Sequence, residues 1–271
     1  MGAEAVLRAP VSVSKDAWEA VRQRHGIEEQ HHMLAVPLPD VTLADYPAWE
    51  RRAYDELARI GMANGMAAHP DLVATMALLA RPPLELYGRV GYHNRVAVGA
   101  VAASDGRSAV LAVLDDHALH LRPIPPDKLP EAAVGLLPPA PPGRGQSISI
   151  SLAAANRVGT GQPVAQSYDE EPQSWLQSGT DQGPPEERAL QRLLAEPRLG
   201  GGRLYASARD GMGRHRRCEQ PMTYMDFESG RWVFQHKPGA GGEQWLIVRP
   251  ATPESLIAGA YDLLGEITAR V

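Results

Sequence analysis

A strand-rich unit that occurs twice constrains the fold of this chain more than any other feature of its sequence. The first copy spans Leu84 to Leu137, where two apolar runs, Val96–Ala103 and Ala109–Leu114, flank the pair Asp105-Gly106. An Asp-Gly pair between such runs predicts a β-hairpin, because glycine adopts positive φ without steric cost. A proline-rich segment then leads into a short amphipathic helix. The first copy is therefore predicted to be a meander of antiparallel strands closed by a helix.

The second copy of this unit lies near the C-terminus. Met222 to Phe234 repeats the pattern of a strand, a glycine turn and a strand, and Arg249–Leu256 aligns with Arg122–Leu129. The segments that precede the two copies also agree, since Ile148–Ser151 corresponds to Val11–Ser14 and both lead into alanine-rich helical patterns. One motif used twice in a chain of this length is typical of an internal duplication.

The repeat predicts both the fold class and the domain organisation. We expect a mixed α/β protein of the α+β class, with a central, mostly antiparallel sheet flanked by helical bundles. Residues 1–271 are expected to form a single domain of two quasi-symmetric halves, 1–137 and 146–271, joined by the proline-rich linker 138–145. Two independently folded halves stay an open alternative. The segment Gly159 to Pro185 is poor in apolar residues and predicts a mobile loop.

Composition argues against several classes of partner and location. The net charge is −5 and the pI is about 6.0, so no overall positive field favours binding to nucleic acid or to an acidic membrane. No run approaches the roughly 20 apolar residues of a membrane span, so no membrane insertion is expected. Cys218 is the single cysteine, and an intramolecular disulfide therefore cannot form. A chain without disulfides fits a reducing cytoplasm.

The cluster Asp115, Asp116, His117 and His120 is the main candidate for chemistry. Carboxylate and imidazole groups at this spacing could ligate a metal, or could serve an unrecognised enzyme or small-molecule-binding protein. The cluster also adjoins a predicted turn between two apolar runs. A solvated loop is therefore the favoured interpretation, and the enzyme or binding protein is kept as the alternative.

Other short motifs give weaker signals. The basic stretch Arg214–Arg217 could contact phosphate, but no aromatic residues alternate with it, and a solvated turn is favoured. Ser12 and Lys15 have the S-x-x-K spacing of some acyl-transfer enzymes without the further elements of that site, and Ser14 is interpreted as a helix cap. The sequence offers no recognisable acid–base pair, nucleophile or phosphate loop, which favours a binding protein without a cofactor or metal over an enzyme.

An ordered set of motifs extends along nearly the whole chain. In chain order they are LLARPP at Leu78–Pro83, SDGRSAVLAV at Ser104–Val113, LRPIPPDKL at Leu121–Leu129, TYMDFESGRW at Thr223–Trp232 and VRPATPESL at Val248–Leu256. No single motif is diagnostic, but the ordered set is fairly specific. In this order it resembles the EspG family, the chaperones associated with the ESX or type VII secretion systems of actinobacteria.

The resemblance implies a fold, a location and a partner. The implied fold is a mixed α/β structure with a mostly antiparallel central sheet, in agreement with the repeat. The implied protein is a cytosolic chaperone, not an enzyme, which binds the apolar tip of the PPE protein in a helical PE–PPE pair. It keeps that pair soluble and delivers it to its own secretion system. A helical-hairpin protein of the WXG100 type is the alternative client, and a homodimer stays open.

The resemblance also implies which residues contact the client. The contact surface of the family is the turn between the second and third strands together with the C-terminal helical region. In this chain the turn corresponds to Tyr92, His93, Asn94 and Arg95. The turn is short, so a small contact loop is expected. The residues assigned to partner binding in the C-terminal region are Leu256, Ala260, Leu263 and Ile267.

Overall fold

A computed structural model describes residues 6–92, 95–158 and 184–270 of the chain. Within these ranges the helices are α1 (Lys15–Arg24), α2 (Tyr46–Arg59), α3 (Pro70–Ala80), α4 (Leu129–Val134), α5 (Leu152–Val158), α6 (Pro185–Leu194) and α7 (Pro253–Thr268), with a 3-10 helix at His32–Leu34. The strands are β1 (Val11–Ser14), β2 (Ala63–Asn64), β3 (Ala67–Ala68), β4 (Leu84–Tyr92), β5 (Arg95–Ser104), β6 (Ala109–Leu114), β7 (Ala118–Ile124), β8 (Ile148–Ser151), β9 (Arg198–Arg209), β10 (His215–Arg217), β11 (Met222–Phe227), β12 (Gly230–Pro238) and β13 (Gln244–Pro250). The α+β class predicted from the sequence is confirmed.

The chain divides by its contacts into two compact units. The first unit contains residues 1–138, 202–221 and 253–271, and the second contains residues 139–201 and 222–252. The C-terminal helix α7 therefore belongs to the same unit as the first strand meander. The halves 1–137 and 146–271, and their origin in a duplication, stay predictions.

The first unit is built on an antiparallel meander. β4, β5, β6 and β7 pair in sequence order, and β1 adds to β7 at the outer edge with Val13 opposite Leu119. Helices α1, α2 and α3 contribute Trp18, Leu57 and Leu72 to a core that packs on this sheet. The N-terminus of α1 is capped as predicted, because the Ser14 hydroxyl accepts a hydrogen bond from the Ala17 amide at 3.1 Å.

Residues 100–104 of β5 and 109–112 of β6 are buried on both faces of the sheet. Val101 and Val110 belong to the core beneath α1, α2 and α3. Ala102 and Leu111, which alternate with them along the strands, are also buried. Helix α4 packs against β4, β5 and β6, and α7 packs against α4 and β4. A strand covered on both faces requires a continuous apolar run, which explains why β5 does not alternate apolar and polar residues.

The second unit contains a smaller meander of similar order. β11, β12 and β13 pair in sequence order, and β8 adds to β13 with Ile150 opposite Leu246. Helix α5 packs in the core of this sheet through Ala155, and helix α6 packs there through Leu190 and Leu193. The order β8–β13–β12–β11 repeats the order β1–β7–β6–β5 of the first unit. In each meander, the last strand therefore pairs with the strand that precedes the first helix of that unit.

The segment 138–145, predicted as a linker, is fixed along β12 in the second unit. The Arg231 amide donates to the Pro141 carbonyl at 2.7 Å, and the Gly143 amide donates to the Arg231 carbonyl at 2.8 Å. Gly143 lies against the indole of Trp232, where a side chain would overlap the ring. The glycine at this position is therefore required by the close approach of the segment to β12.

Three turn predictions can be compared with the structure. The turn between β5 and β6 is confirmed: Gly106 has φ of 85°, and Asp105 Oδ1 accepts from the amides of Arg107 and Ser108 at 2.9 and 2.7 Å. The glycine turn between β11 and β12 is also confirmed, with Gly230 at φ of 116°. The stretch Arg214–Arg217 is exposed, as predicted, but the predicted turn is wrong, because His215–Arg217 forms β10 and pairs with β9.

Candidate partner-binding surface

The hairpin formed by β4 and β5 carries the first group of predicted contact residues. Tyr92 pairs with Arg95 across the hairpin, so its loop is the two-residue segment His93-Asn94, which lies outside the described residues. The Tyr92 ring is half-buried, and its hydroxyl donates a hydrogen bond to the Leu136 carbonyl at 3.0 Å. Val96 follows on β5, and 65% of its surface is exposed. The hairpin therefore presents an apolar side chain to solvent beside an anchored tyrosine.

Helix α7 carries the second group of predicted contact residues. The four of them form its apolar stripe, and each is buried: Leu256, Ala260, Leu263 and Ile267. Direct contact of these side chains with a client would require the helix to rearrange, and their assignment to partner binding stays a prediction. The face that α7 presents to solvent contains Ala258, Tyr261, Asp262, Gly265 and Glu266.

Tyr261 is the largest side chain on the exposed face of α7, with 41% of its surface exposed. Its hydroxyl donates to the Asp127 carbonyl at 2.8 Å and lies 2.9 Å from Oε2 of Glu131. Burial raises the pKa of this hydroxyl, and the hydrogen bond to the Glu131 carboxylate raises it further. The phenol therefore stays protonated and able to donate at neutral pH.

The cluster of acidic and histidine residues is brought together, but as part of a turn. Asp115 Oδ1 accepts from the amides of His117 and Ala118 at 2.8 Å each, and Asp115 Oδ2 lies 2.9 Å from His120 Nε2. Burial alone would raise the pKa of Asp115, but these two amides and His120 outweigh it and lower the pKa to about 2. The Ser12 hydroxyl lies 2.8 Å from the other ring nitrogen of His120.

These contacts account for Asp115 and His120 without a ligand, since they close the turn between β6 and β7 and attach it to β1. Asp116 and His117 are exposed. No group of three or more residues arranged to hold a metal ion occurs within residues 6–92, 95–158 and 184–270.

A buried polar cluster in the first unit was not predicted. Glu85 on β4 is 2% exposed and accepts a hydrogen bond from the Ser207 hydroxyl on β9. His215 Nε2 on β10 lies 2.9 Å from the same hydroxyl, and His31 Nε2 lies 3.1 Å from Glu85 Oε2. The Ser207 hydroxyl has one proton, and because it donates that proton to the Glu85 carboxylate, His215 does not accept it as a base. The arrangement is therefore not that of a nucleophilic triad.

Tyrosine rings adjoin this cluster. Tyr87 stacks on Tyr205 with 5.4 Å between ring centroids, and the Arg217 guanidinium lies 5.2 Å from the centre of the Tyr205 ring. Burial raises the pKa of Tyr87 to about 12, although Arg217 partly opposes that effect. The cluster joins the loop before the 3-10 helix, β4, β9 and β10, whose residues are too distant in sequence to give a local signal.

Comparison with known proteins identifies the family. The model of the EspG family matches residues 14–259, which is most of the chain. The chain belongs to the EspG family. No curated protein matches its sequence. Among solved structures it is similar to the Mycobacterium tuberculosis type VII secretion system chaperone EspG5, solved in complex with the PE25–PPE41 dimer.

The similarity to EspG5 extends over the whole fold. The TM-score is 0.63 at 14% sequence identity, and the alignment covers 95% of this chain and 96% of the EspG5 chain. At this identity the comparison establishes a shared fold. The resemblance to the EspG family read from the ordered motifs is thus confirmed. Across the parts of the chain that the structure describes, no helix has both the length and the apolar character needed to cross a membrane.

Proposed function

We propose that this chain is a cytoplasmic chaperone of a type VII secretion system, which binds the apolar tip of a helical PE–PPE pair and keeps that pair soluble until export. The observation that carries the proposal is the EspG family match over residues 14–259. The fold shared with EspG5, a chaperone solved with a PE–PPE dimer bound, supports it. A chaperone of this kind performs no chemistry, which agrees with the structural role of the Asp115 turn.

The proposed contact surface lies within the first unit. It combines the β4–β5 hairpin, with Val96 exposed beside the loop, and the exposed face of α7. An apolar side chain of the hairpin would pack on the apolar tip of the client. The small residues Ala258 and Gly265 of α7 would allow a client helix to approach closely. Such contacts remove the client tip from water and so prevent its aggregation.

Co-expression tests the proposal directly. The chain is co-expressed with the PE–PPE pairs and the WXG100-type proteins encoded near its gene, and whatever co-purifies is sized. A stable complex with a PE–PPE pair is the expected result. A complex with a WXG100-type protein alone would show that the chain is a chaperone for a different client. A chain that stays uncomplexed in every combination would contradict the proposal.

Charge substitutions locate the contact within that complex. Val96→Asp places a carboxylate on the exposed hairpin and is expected to abolish co-purification. The matched control is Leu43→Asp, because Leu43 is 95% exposed but lies before α2, away from the proposed surface in sequence. Leu256 and Leu263 are unsuitable targets, because a charge at a buried position unfolds the protein whatever the helix binds.

A further inference from the structure

Helix α4 lies between the two elements proposed to contact the client. We propose that α4 acts as a bracket that sets the position of the β4–β5 hairpin relative to α7, with Tyr92 and Tyr261 as positioning residues at its two ends. This inference rests on the proposed function, because it concerns how the client-binding surface is held together. It assigns a role to α4 that neither the sequence motifs nor the family match assigns.

The C-terminal end of α4 is attached to the hairpin. Helix α4 ends at Val134, and the Leu136 carbonyl just beyond it accepts the hydroxyl of Tyr92 at 3.0 Å. Tyr92 is the last residue of β4, so this bond is made immediately before the hairpin loop. Its phenol hydroxyl is thus bonded to the backbone at the C-terminal end of α4. Tyr92 is therefore a residue that positions the loop.

The N-terminal end of α4 is attached to α7. The hydroxyl of Tyr261 donates to the Asp127 carbonyl at 2.8 Å, two residues before α4 begins, and lies 2.9 and 3.1 Å from the carboxylate oxygens of Glu131 in its first turn. Lys128 Nζ lies 2.9 Å from the same carboxylate and orients it. Tyr261 thus makes its polar contacts with α4 while part of its ring stays exposed on the proposed client face.

The body of α4 cannot move independently of these two attachments. Leu129, Ala133 and Val134 are buried, and the helix packs against β4, β5, β6 and α7. A helix of six residues is too short to be stable alone, so its place is defined by packing and by the bonds at its ends.

Holding the hairpin and α7 in a fixed relative position affects client affinity. Surfaces that are already arranged for a partner lose less conformational freedom on binding. Removing either phenol hydroxyl would free one end of the bracket without changing an exposed apolar side chain. The affinity for the client would then fall although the contact residues are intact.

The experiment compares Tyr92→Phe and Tyr261→Phe with the unaltered chain. The affinity for the co-purifying PE–PPE pair is measured by titration calorimetry, and the thermal unfolding midpoint of each free variant is measured in parallel. Each variant is expected to bind about five- to tenfold more weakly, because one hydrogen bond that orients the surface is lost. The double variant is expected to lose less than the product of the two effects, since both act through α4.

The matched control is Tyr46→Phe. Tyr46 on α2 also donates its hydroxyl to a side chain, Gln23 Oε1 at 2.7 Å, but it has no contact with α4 among the described interactions. Its removal is expected to lower the unfolding midpoint to a similar degree and to leave affinity within twofold. Variants at Tyr92 and Tyr261 that bind like the unaltered chain would overturn the bracket and leave the proposed function standing. An unaltered chain that binds no client would overturn both.

Discussion

At the scale of single residues, Glu85 depends strongly on its neighbours in the first unit, because its carboxylate is buried and has lost its hydration. Ser207 donates a hydrogen bond to it, and His31 Nε2 lies 3.1 Å from its second oxygen without the alignment of a hydrogen bond. A buried carboxylate is tolerated only where donors and positive partners replace its hydration. The cluster therefore stabilises the junction of β4, β9 and β10 only while the carboxylate is present.

Glu85→Gln should lower the free energy of unfolding by about 1 to 3 kcal/mol. The amide has nearly the same shape, but its NH2 group would replace an oxygen that faces either the Ser207 hydroxyl or His31 Nε2. Urea denaturation measures the change. The control is Glu29→Gln, since Glu29 is 51% exposed and pairs loosely with Arg81 at 3.5 Å; a change below about 0.5 kcal/mol is expected there. Equal effects at the two positions would show that the buried cluster contributes nothing specific.

Asp115 predicts a pH dependence of stability. Its pKa is lowered from the usual 3.8 to about 2, so the unfolded chain takes up this proton before the folded chain does as the pH falls. The stabilisation is fully present above pH 3.8 and is lost as the pH falls to about 2. Its size is moderate, because about a third of the side chain is exposed.

Asp115→Asn isolates this contribution. The amide oxygen still accepts from the turn amides, but the charge is gone. The difference in unfolding free energy between the unaltered chain and this variant should therefore be constant at neutral pH and shrink as the pH falls through that window. The exposed neighbour provides the control, Asp116→Asn, for which the difference should stay flat. A difference for Asp115→Asn that does not vary with pH would refute the assigned cause.

At the scale of elements, glycines show where strands and helices approach each other. A side chain at Gly88 on β4 would overlap the carbonyl oxygen of Arg203 on β9, and a backbone atom cannot swing aside. Gly265 on α7, in contrast, has open space around it and lies on the exposed face. The same substitution should therefore have opposite effects at the two positions.

Gly88→Ala should destabilise the protein by about 1 to 3 kcal/mol through overpacking. Gly265→Ala should stabilise it by about 0.5 to 1 kcal/mol, because alanine has the higher helix propensity and nothing obstructs it. Thermal and urea unfolding measure both. If Gly88→Ala left the stability unchanged, β4 and β9 would not approach each other as closely as described. If Gly265→Ala proved destabilising, the exposed setting assigned to that face of α7 would be incorrect.

Sequence patterns predicted the elements that have strong local signals. The hairpin at Asp105-Gly106, the cap at Ser14 and the apolar stripe of α7 each depend on residues a few positions apart. The short strands β2, β3 and β10 were missed, because two or three residues carry no periodicity. The bond from Ser207 to Glu85 was missed because 122 positions separate the two residues.

The predicted contact site was also limited to what local sequence patterns can show. Periodicity on α7 marks the apolar positions, and in a surface helix those positions face the core. The resemblance to the family could place the contact region on α7, but it could not say which face of the helix a client meets. Because Leu256 and Leu263 are buried, we infer that a client would meet the opposite face of the helix. That distinction requires the packing of α7 on α4 and β4, which no local pattern encodes.

At the scale of the whole molecule, the two units are interleaved along the chain. The first unit takes residues 202–221 and 253–271 from the C-terminal part of the sequence. A fragment of residues 1–138 would therefore lack α7 and β10, and would expose α4 residues such as Leu129 that are buried in the full chain. A cut between the predicted halves therefore does not separate the two compact units.

Residues 1–138 expressed alone are accordingly expected to aggregate or to remain incompletely folded, whereas the full chain folds. Circular dichroism and limited proteolysis of the fragment, with the full chain as the control, measure the difference. A fragment that is soluble and folds cooperatively would favour two independently folded halves. That result would also show that the first unit folds without α7.

Hydrogen exchange of the chain, free and in the presence of the proposed PE–PPE client, locates the client contact without any substitution. We expect slower amide exchange on binding in the β4–β5 hairpin and in α7, both in the first unit, with α5 and α6 of the second unit unchanged. Slower exchange confined to α5 and α6, with the hairpin and α7 unaffected, would contradict the proposed contact surface.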